Sequence, residues 1–191
     1  MMSIPNWNAA GVLPPIWPEA DGANPHRSPY ATTLTDLVLR FSTTTDRRNI
    51  LDGLLRYRVA LHGLGLSRGF QWIDGSFLED TEVMEDRSPN DVDVVTFFEF
   101  PDGVPNQKAL AEAGAAVFGF EKTEYRVDAY YSQLGQPMDR SEVRLVSHWY
   151  SMWSHRRDGI WKGFLQVDLA PQYDAEARAN LNAAAAEEGD A

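Results

Sequence analysis

Between Thr45 and Gly65 the apolar residues Ile50, Leu51, Leu54, Leu55, Leu61 and Leu64 recur near helical spacing, set against Arg47, Arg48, Arg56 and Arg58. The spacing predicts an amphipathic helix capped by Thr45 or Asp46 and ending near Gly63 or Gly65. Phe70, Trp72 and Ile73 then form a short apolar run closing on Asp74-Gly75-Ser76, the pattern of a strand entering a tight turn. Asp80 to Asn90 is acidic and polar and predicts a loop around, at most, one helical turn. From Asp91 to Phe98 carboxylates alternate with valines before the run turns wholly apolar, which predicts a strand polar at its start and buried at its end.

Further on, Asn106 to Phe120 is alanine-rich and predicts a helix with Leu110, Ala113, Val117 and Phe120 on one side. Thr123 to Ser132 alternates as a strand carrying Val127 and Asp128. Ser141 to Arg156 predicts a helix with Ser141 as N-cap and Val143, Val146, Trp149, Tyr150 and Trp153 as its apolar residues. Trp161 to Leu169 is a last strand, and the small, acidic residues after Pro171 predict a helix fraying into a tail. The order is helix, strand, strand, helix, strand, helix, strand around one sheet, so the expected class is α/β in the loose, α+β sense.

Residues 1–33 read differently. Six of the eleven prolines fall within the first thirty positions, which resists regular structure and predicts an extended arm. Trp7, Ile16, Trp17 and Tyr30 are poor residues to leave in water, so the arm is expected to drape over the core or over a partner, with these side chains as anchors. The expected organisation is the arm at 1–33, one domain at 34–170 and an acidic tail at 171–191.

Composition narrows the function classes. At 191 residues and 43% hydrophobic, the chain suits one domain with a sizeable core. Its 28 acidic against 17 basic residues, a net charge of -11, argue against non-specific binding of nucleic acid backbones. The absence of cysteine excludes disulfides, thiolate metal sites and a catalytic thiol. No stretch approaches the ~20 apolar residues of a membrane span and the N-terminus has no basic, apolar leader, so a cytoplasmic protein without membrane contact is expected. There is no Gly-x-Gly-x-x-Gly and no Walker-type phosphate loop.

The chemistry sits in carboxylates. Asp91 and Asp93 stand two apart on a predicted strand, whose period of two points both to one face, where they repel unless a cation neutralises them. A hard divalent ion takes one or two carboxylates and completes its shell with water and phosphate oxygens. Gly75-Ser76, closing the preceding strand, offers backbone N–H groups and a hydroxyl to a polyphosphate. Asp128 lies in an apolar strand where an unpaired charge is costly, and a shared metal would explain it. Asp168, on the terminal strand, is the other candidate for a third acid. Asp74 reads as a turn former, the Arg156, Arg157 and Lys162 cluster as a solvated turn ahead of a phosphate contact, and the four histidines show no zinc spacing.

Gly75-Ser76, then Asp91-Val92-Asp93 on a strand, then Val127-Asp128 on a later strand, resembles the nucleotidyltransferase superfamily typified by DNA polymerase β and the minimal nucleotidyltransferases, and within it an uncharacterised bacterial subgroup. The resemblance covers roughly residues 34 to 169. It implies a mixed sheet flanked by helices, with Asp91, Asp93 and Asp128 as catalytic residues and ligands of Mg²⁺ or Mn²⁺, and with Gly75 and Ser76 gripping the phosphates of a nucleoside triphosphate such as ATP. The implied reaction moves a nucleoside monophosphate onto a hydroxyl of an RNA, a protein or a small molecule and releases pyrophosphate. A catalytically weak, antitoxin-like or regulatory binding protein on the same fold, of the kind found in toxin–antitoxin settings, is the alternative. Separately, the aromatic arm offers a route to a homo-oligomer or a protein partner. One departure stands out: fourteen residues separate Ser76 from Asp91, and they include Glu79, Asp80, Glu82, Glu85 and Asp86, an acidity unhelpful beside a triphosphate.

Overall fold

The computed structural model describes residues 4–189. In chain order the elements are β1 (Tyr30–Thr32), α1 (Leu34–Phe41), α2 (Thr45–Gly63), β2 (Gly69–Asp74), α3 (Thr81–Met84), β3 (Val92–Phe98), α4 (Gln107–Ala113), α5 (Glu121–Tyr125), β4 (Val127–Gln133), α6 (Arg140–Trp153), β5 (Leu165–Asp168) and α7 (Asp174–Gly189). The strands form one mixed sheet in the order β1-β5-β2-β3-β4. Pairs β1/β5 and β3/β4 are parallel, whereas β2 runs antiparallel to both β3 and β5. The fold is therefore α+β, a five-stranded mixed sheet flanked by helices.

One face of the sheet is covered by α2. The Tyr57 hydroxyl donates to the Tyr131 hydroxyl of β4 at 3.0 Å, and Arg58 donates to Gln71 of β2 at 2.7 Å. Arg47 and Arg58, expected on the wet side of this helix, are both fully buried. Each is neutralised from a distant part of the chain, Arg47 by Glu82 at 2.6 Å and Arg58 by Asp174 at 2.7 Å, which is how a buried guanidinium is tolerated. Gly53 lets α5 approach α2: a Cβ there would lie 1.9 Å from the Tyr125 carbonyl oxygen. The opposite face meets α6, where Trp149 lies 4.6 Å from Tyr130, and Trp149 and Trp153 are buried as core residues.

Several boundaries differ from the sequence reading. The helix after Asn106 stops at Ala113. The stretch read as a strand from Thr123 begins as helix α5, and Arg126 in a left-handed conformation separates it from β4. The cap of α2 is Thr44 and that of α6 is Asp139, whose carboxylate accepts from the Ser141 and Glu142 amides at 2.7 and 3.1 Å; Ser141 itself is inside the helix. The last strand is shortened to Leu165–Asp168 because Lys162 and Gly163 before it donate their amides to the Ser154 and Leu13 carbonyls instead of to a neighbouring strand. The sequence reading also missed β1 and α1.

The N-terminal segment lies on this chain's own core. Trp7 donates to the Leu78 carbonyl at 2.7 Å and meets Phe41 edge-on, Trp17 meets Tyr30 edge-on, and Tyr30 belongs to β1. Residues 1–3 of the expected arm, and 190–191 of the expected tail, fall outside the described residues. Among the described residues no helix is long and apolar enough to cross a membrane.

Candidate functional site

Antiparallel pairing of β2 with β3 and parallel pairing of β3 with β4 bring three aspartates into one row. Asp74, the last residue of β2, pairs with Asp93, and Asp93 pairs with Asp128. In-register neighbours project on the same face, so the three carboxylates share the α6 side of the sheet at one end. Asp91 stands just before β3, at the same end. Asp168 sits at the other end, opposite Phe70, where its carboxylate accepts from the Ala170 amide at 2.7 Å. Of the two candidates for a third acid, the register thus puts Asp128 beside Asp93 and leaves Asp168 across the sheet.

Gly75 follows Asp74 with φ +88°, and Ser76 opens the turn Ser76–Leu78. The room left by the missing side chain is filled from within the protein, since a Cβ on Gly75 would lie 2.0 Å from Asp93 Oδ2. Gly75→Ala combines that collision with an unfavourable backbone angle; it is expected to cost about 1–3 kcal/mol and to displace the Asp93 carboxylate, measurable as a lower unfolding temperature.

Two lysines outside the expected set of site residues complete the site. Lys122, in the first turn of α5, holds Asp91 at 2.8 Å and Asp128 at 3.0 Å, with its side chain 62% exposed. Lys162, read from sequence as part of a solvated turn, is instead buried, with its ammonium 3.1 Å from Asp74 and 2.7 Å from Glu79. Because Asp74 precedes and Glu79 follows the Gly75-Ser76 turn, Lys162 clamps that turn at both ends. Arg47 reinforces it, donating to the Phe77 and Glu79 carbonyls at 2.7 and 2.6 Å. These contacts also account for much of the acidity between Ser76 and Asp91: Glu79 is held by Lys162, Glu82 by Arg47, and Glu85 by Arg87.

The electrostatics of the row are strained. Burial, followed by repulsion from Asp91 and Asp128, pushes the Asp93 carboxyl up to about 6. Burial pushes Asp74 up to about 7 against the pull of Lys162. The hydrogen bonds to Asp91 and Asp128 raise Lys122, so its ammonium is charged at any physiological pH.

As placed, no group of three histidine or acidic side chains among the described residues converges to hold a metal. The donor set nevertheless fits a hard cation, since Asp91 and Asp128 already share one positive group between their carboxylates. Two cavities, of about 620 Å³ at the start of α6 and about 240 Å³ between Thr32 and Asp168, lie away from the row.

These features define an α+β protein with a carboxylate and lysine site at one end of a mixed sheet. The chain belongs to the DUF6932 family, a family of unknown function, which it matches over residues 5–168, a span holding every residue of the site. No curated protein and no solved structure matches the chain.

Proposed function

We propose that the chain is a nucleotidyltransferase dependent on Mg²⁺ or Mn²⁺, moving a nucleoside monophosphate from a nucleoside triphosphate to a hydroxyl of an RNA, protein or small-molecule acceptor. The observation that carries this reading is the row itself: Asp93 in register with Asp128, Asp91 at the strand start, and the Gly75-Ser76 turn against the Asp93 carboxylate. Bound at Asp91, Asp93 and Asp128, the metal would neutralise charge on the phosphates and lower the acceptor hydroxyl's pKa. The Gly75-Ser76 turn, clamped by Lys162 and Arg47, would present its N–H groups and hydroxyl to the triphosphate without reorganising. On this reading the row and the clamped turn are the nucleotidyltransferase-like part of the fold.

One observation favours a second reading. Lys122 gives Asp91 and Asp128 a cation of the chain's own, as expected of a binding protein that keeps the scaffold but turns over weakly. Incubation with Mg²⁺, each α-labelled nucleoside triphosphate, and RNA and protein from cells separates the two. Label transfer that disappears with chelator and in Asp91→Ala/Asp93→Ala is expected. Nucleotide binding without transfer under these conditions selects the second reading.

A further inference from the structure

We infer that Lys122 is an internal counter-ion for Asp91 and Asp128 that a divalent cation has to displace, so that the site loads by exchange of one cation for another. The inference rests on the metal-dependent reading and concerns a residue which that reading leaves without a role. Its ammonium contacts one oxygen of each acid, Asp91 Oδ2 and Asp128 Oδ2, the same two acids that are expected to hold the metal. An ammonium is a compact point charge, and two carboxylates that already share one are partly neutralised before any ion arrives. Its side chain is mostly exposed on a flexible stem, so withdrawal into water breaks two ion pairs and little packing.

The second lysine cannot play this part. Lys162 is buried and already paired with Asp74 and Glu79, and moving it would leave two buried carboxylates without a partner. Lys122 is thus the movable charge and Lys162 the fixed one. Exchange changes the charge of the site by one unit rather than two, so the empty site is held together by the lysine, and metal affinity is lowered by whatever the two ion pairs contribute.

The test is Mn²⁺ binding by the full chain at pH 7.5, read from the loss of free-ion paramagnetic resonance signal. It compares wild type with Lys122→Met and with Lys108→Met, a control that removes the same charge from an exposed pair with Glu112. Lys122→Met is expected to bind Mn²⁺ on the order of tenfold more tightly than wild type, the scale of a removed like charge and two half-exposed ion pairs, while Lys108→Met stays within twofold. In chelator, Lys122→Met is also expected to melt below wild type, with the gap closing once Mn²⁺ is added. Lys122→Gln, which keeps a polar stem, serves if the Met variant fails to fold.

Equal affinity in wild type and Lys122→Met overturns the inference and leaves the metal-dependent reading standing, as does equal tightening in Lys108→Met. Binding by Lys122→Met alone supports the lysine as the resident cation and overturns the transferase reading in favour of the weakly active one. Absence of Mn²⁺ binding in every form overturns both.

Discussion

Lys162→Met is expected to lower the stability of the protein by about 3–5 kcal/mol at pH 8, the range for removing one partner of a buried ionic group. Methionine keeps the length of the stem, so the loss reports charge rather than volume. What remains is Asp74 and Glu79, each less than a tenth exposed and deprived of the ammonium they share. The loss is expected to shrink at pH 5.5. Asp74 titrates at about 7 even with Lys162 in place, and it rises further without it. A carboxyl whose pKa is raised on folding binds its proton more tightly folded than unfolded. Its penalty is therefore absent below the unfolded value and grows as pH climbs to the folded one. Urea unfolding at both pH values measures this, and a loss under about 1 kcal/mol, typical of an exposed pair, would show the trio to be solvated. Because the trio brackets Gly75 and Ser76, on the proposed reading the same substitution is expected to weaken nucleotide binding at temperatures where the fold survives.

Asp93→Asn is expected to act in opposite directions on activity and stability. On the proposed reading it removes a metal ligand at the centre of the row, and transfer is expected to fall by at least ~10²–10³-fold, as when one strong electrostatic contact to a transition state is lost. In chelator at pH 8 the variant is expected to be more stable than wild type. The wild-type carboxyl is held up to about 6 by burial and by Asp91 and Asp128, so its ionisation opposes folding across the interval from its usual value near 3.8. The relief is on the order of 1–3 kcal/mol, at ~1.4 kcal/mol per pKa unit. It fades toward pH 4, where the wild-type group is protonated as well. Parallel thermal unfolding and label-transfer assays decide it. A stabilised and fully active Asp93→Asn protein would remove Asp93 from the catalytic machinery.

What the sequence disclosed and what it withheld divide along physical lines. Periodicity located α2, β2, β3 and α6, because each carries its burial pattern locally. Asp91, Asp93 and Asp128 were legible as candidates because a strand's two-residue period and an unpaired acid among apolar neighbours are local signals too. The choice between Asp128 and Asp168 was not local, since it depends on strand order and on which end of β2 each acid faces. Lys162 was misread for the same reason: its burial is produced by Asp74 and Glu79, some eighty residues away in the chain. Strand β1 has three residues and gains its identity from pairing with β5, from the far end of the chain. Helix α1, by contrast, carried a signal that was overlooked. Thr33 caps it by accepting from the Asp36 amide, and Leu34, Leu37, Val38 and Phe41 are buried at helical spacing.

Helix α7 lies beyond the span shared with the family, yet it closes the fold. Asp174 neutralises the fully buried Arg58, which also holds Gln71 of β2, and Arg178 pairs with Asp52 on the same helix α2. Ala177 and Leu181 of the same helix are buried in the core. A fragment trimmed at residue 168, where the similarity stops, would strand a guanidinium in the interior one hydrogen bond away from the strand that ends in Asp74. The end of the family match and the end of the packed structure are therefore different places in this chain, and truncations should follow the second.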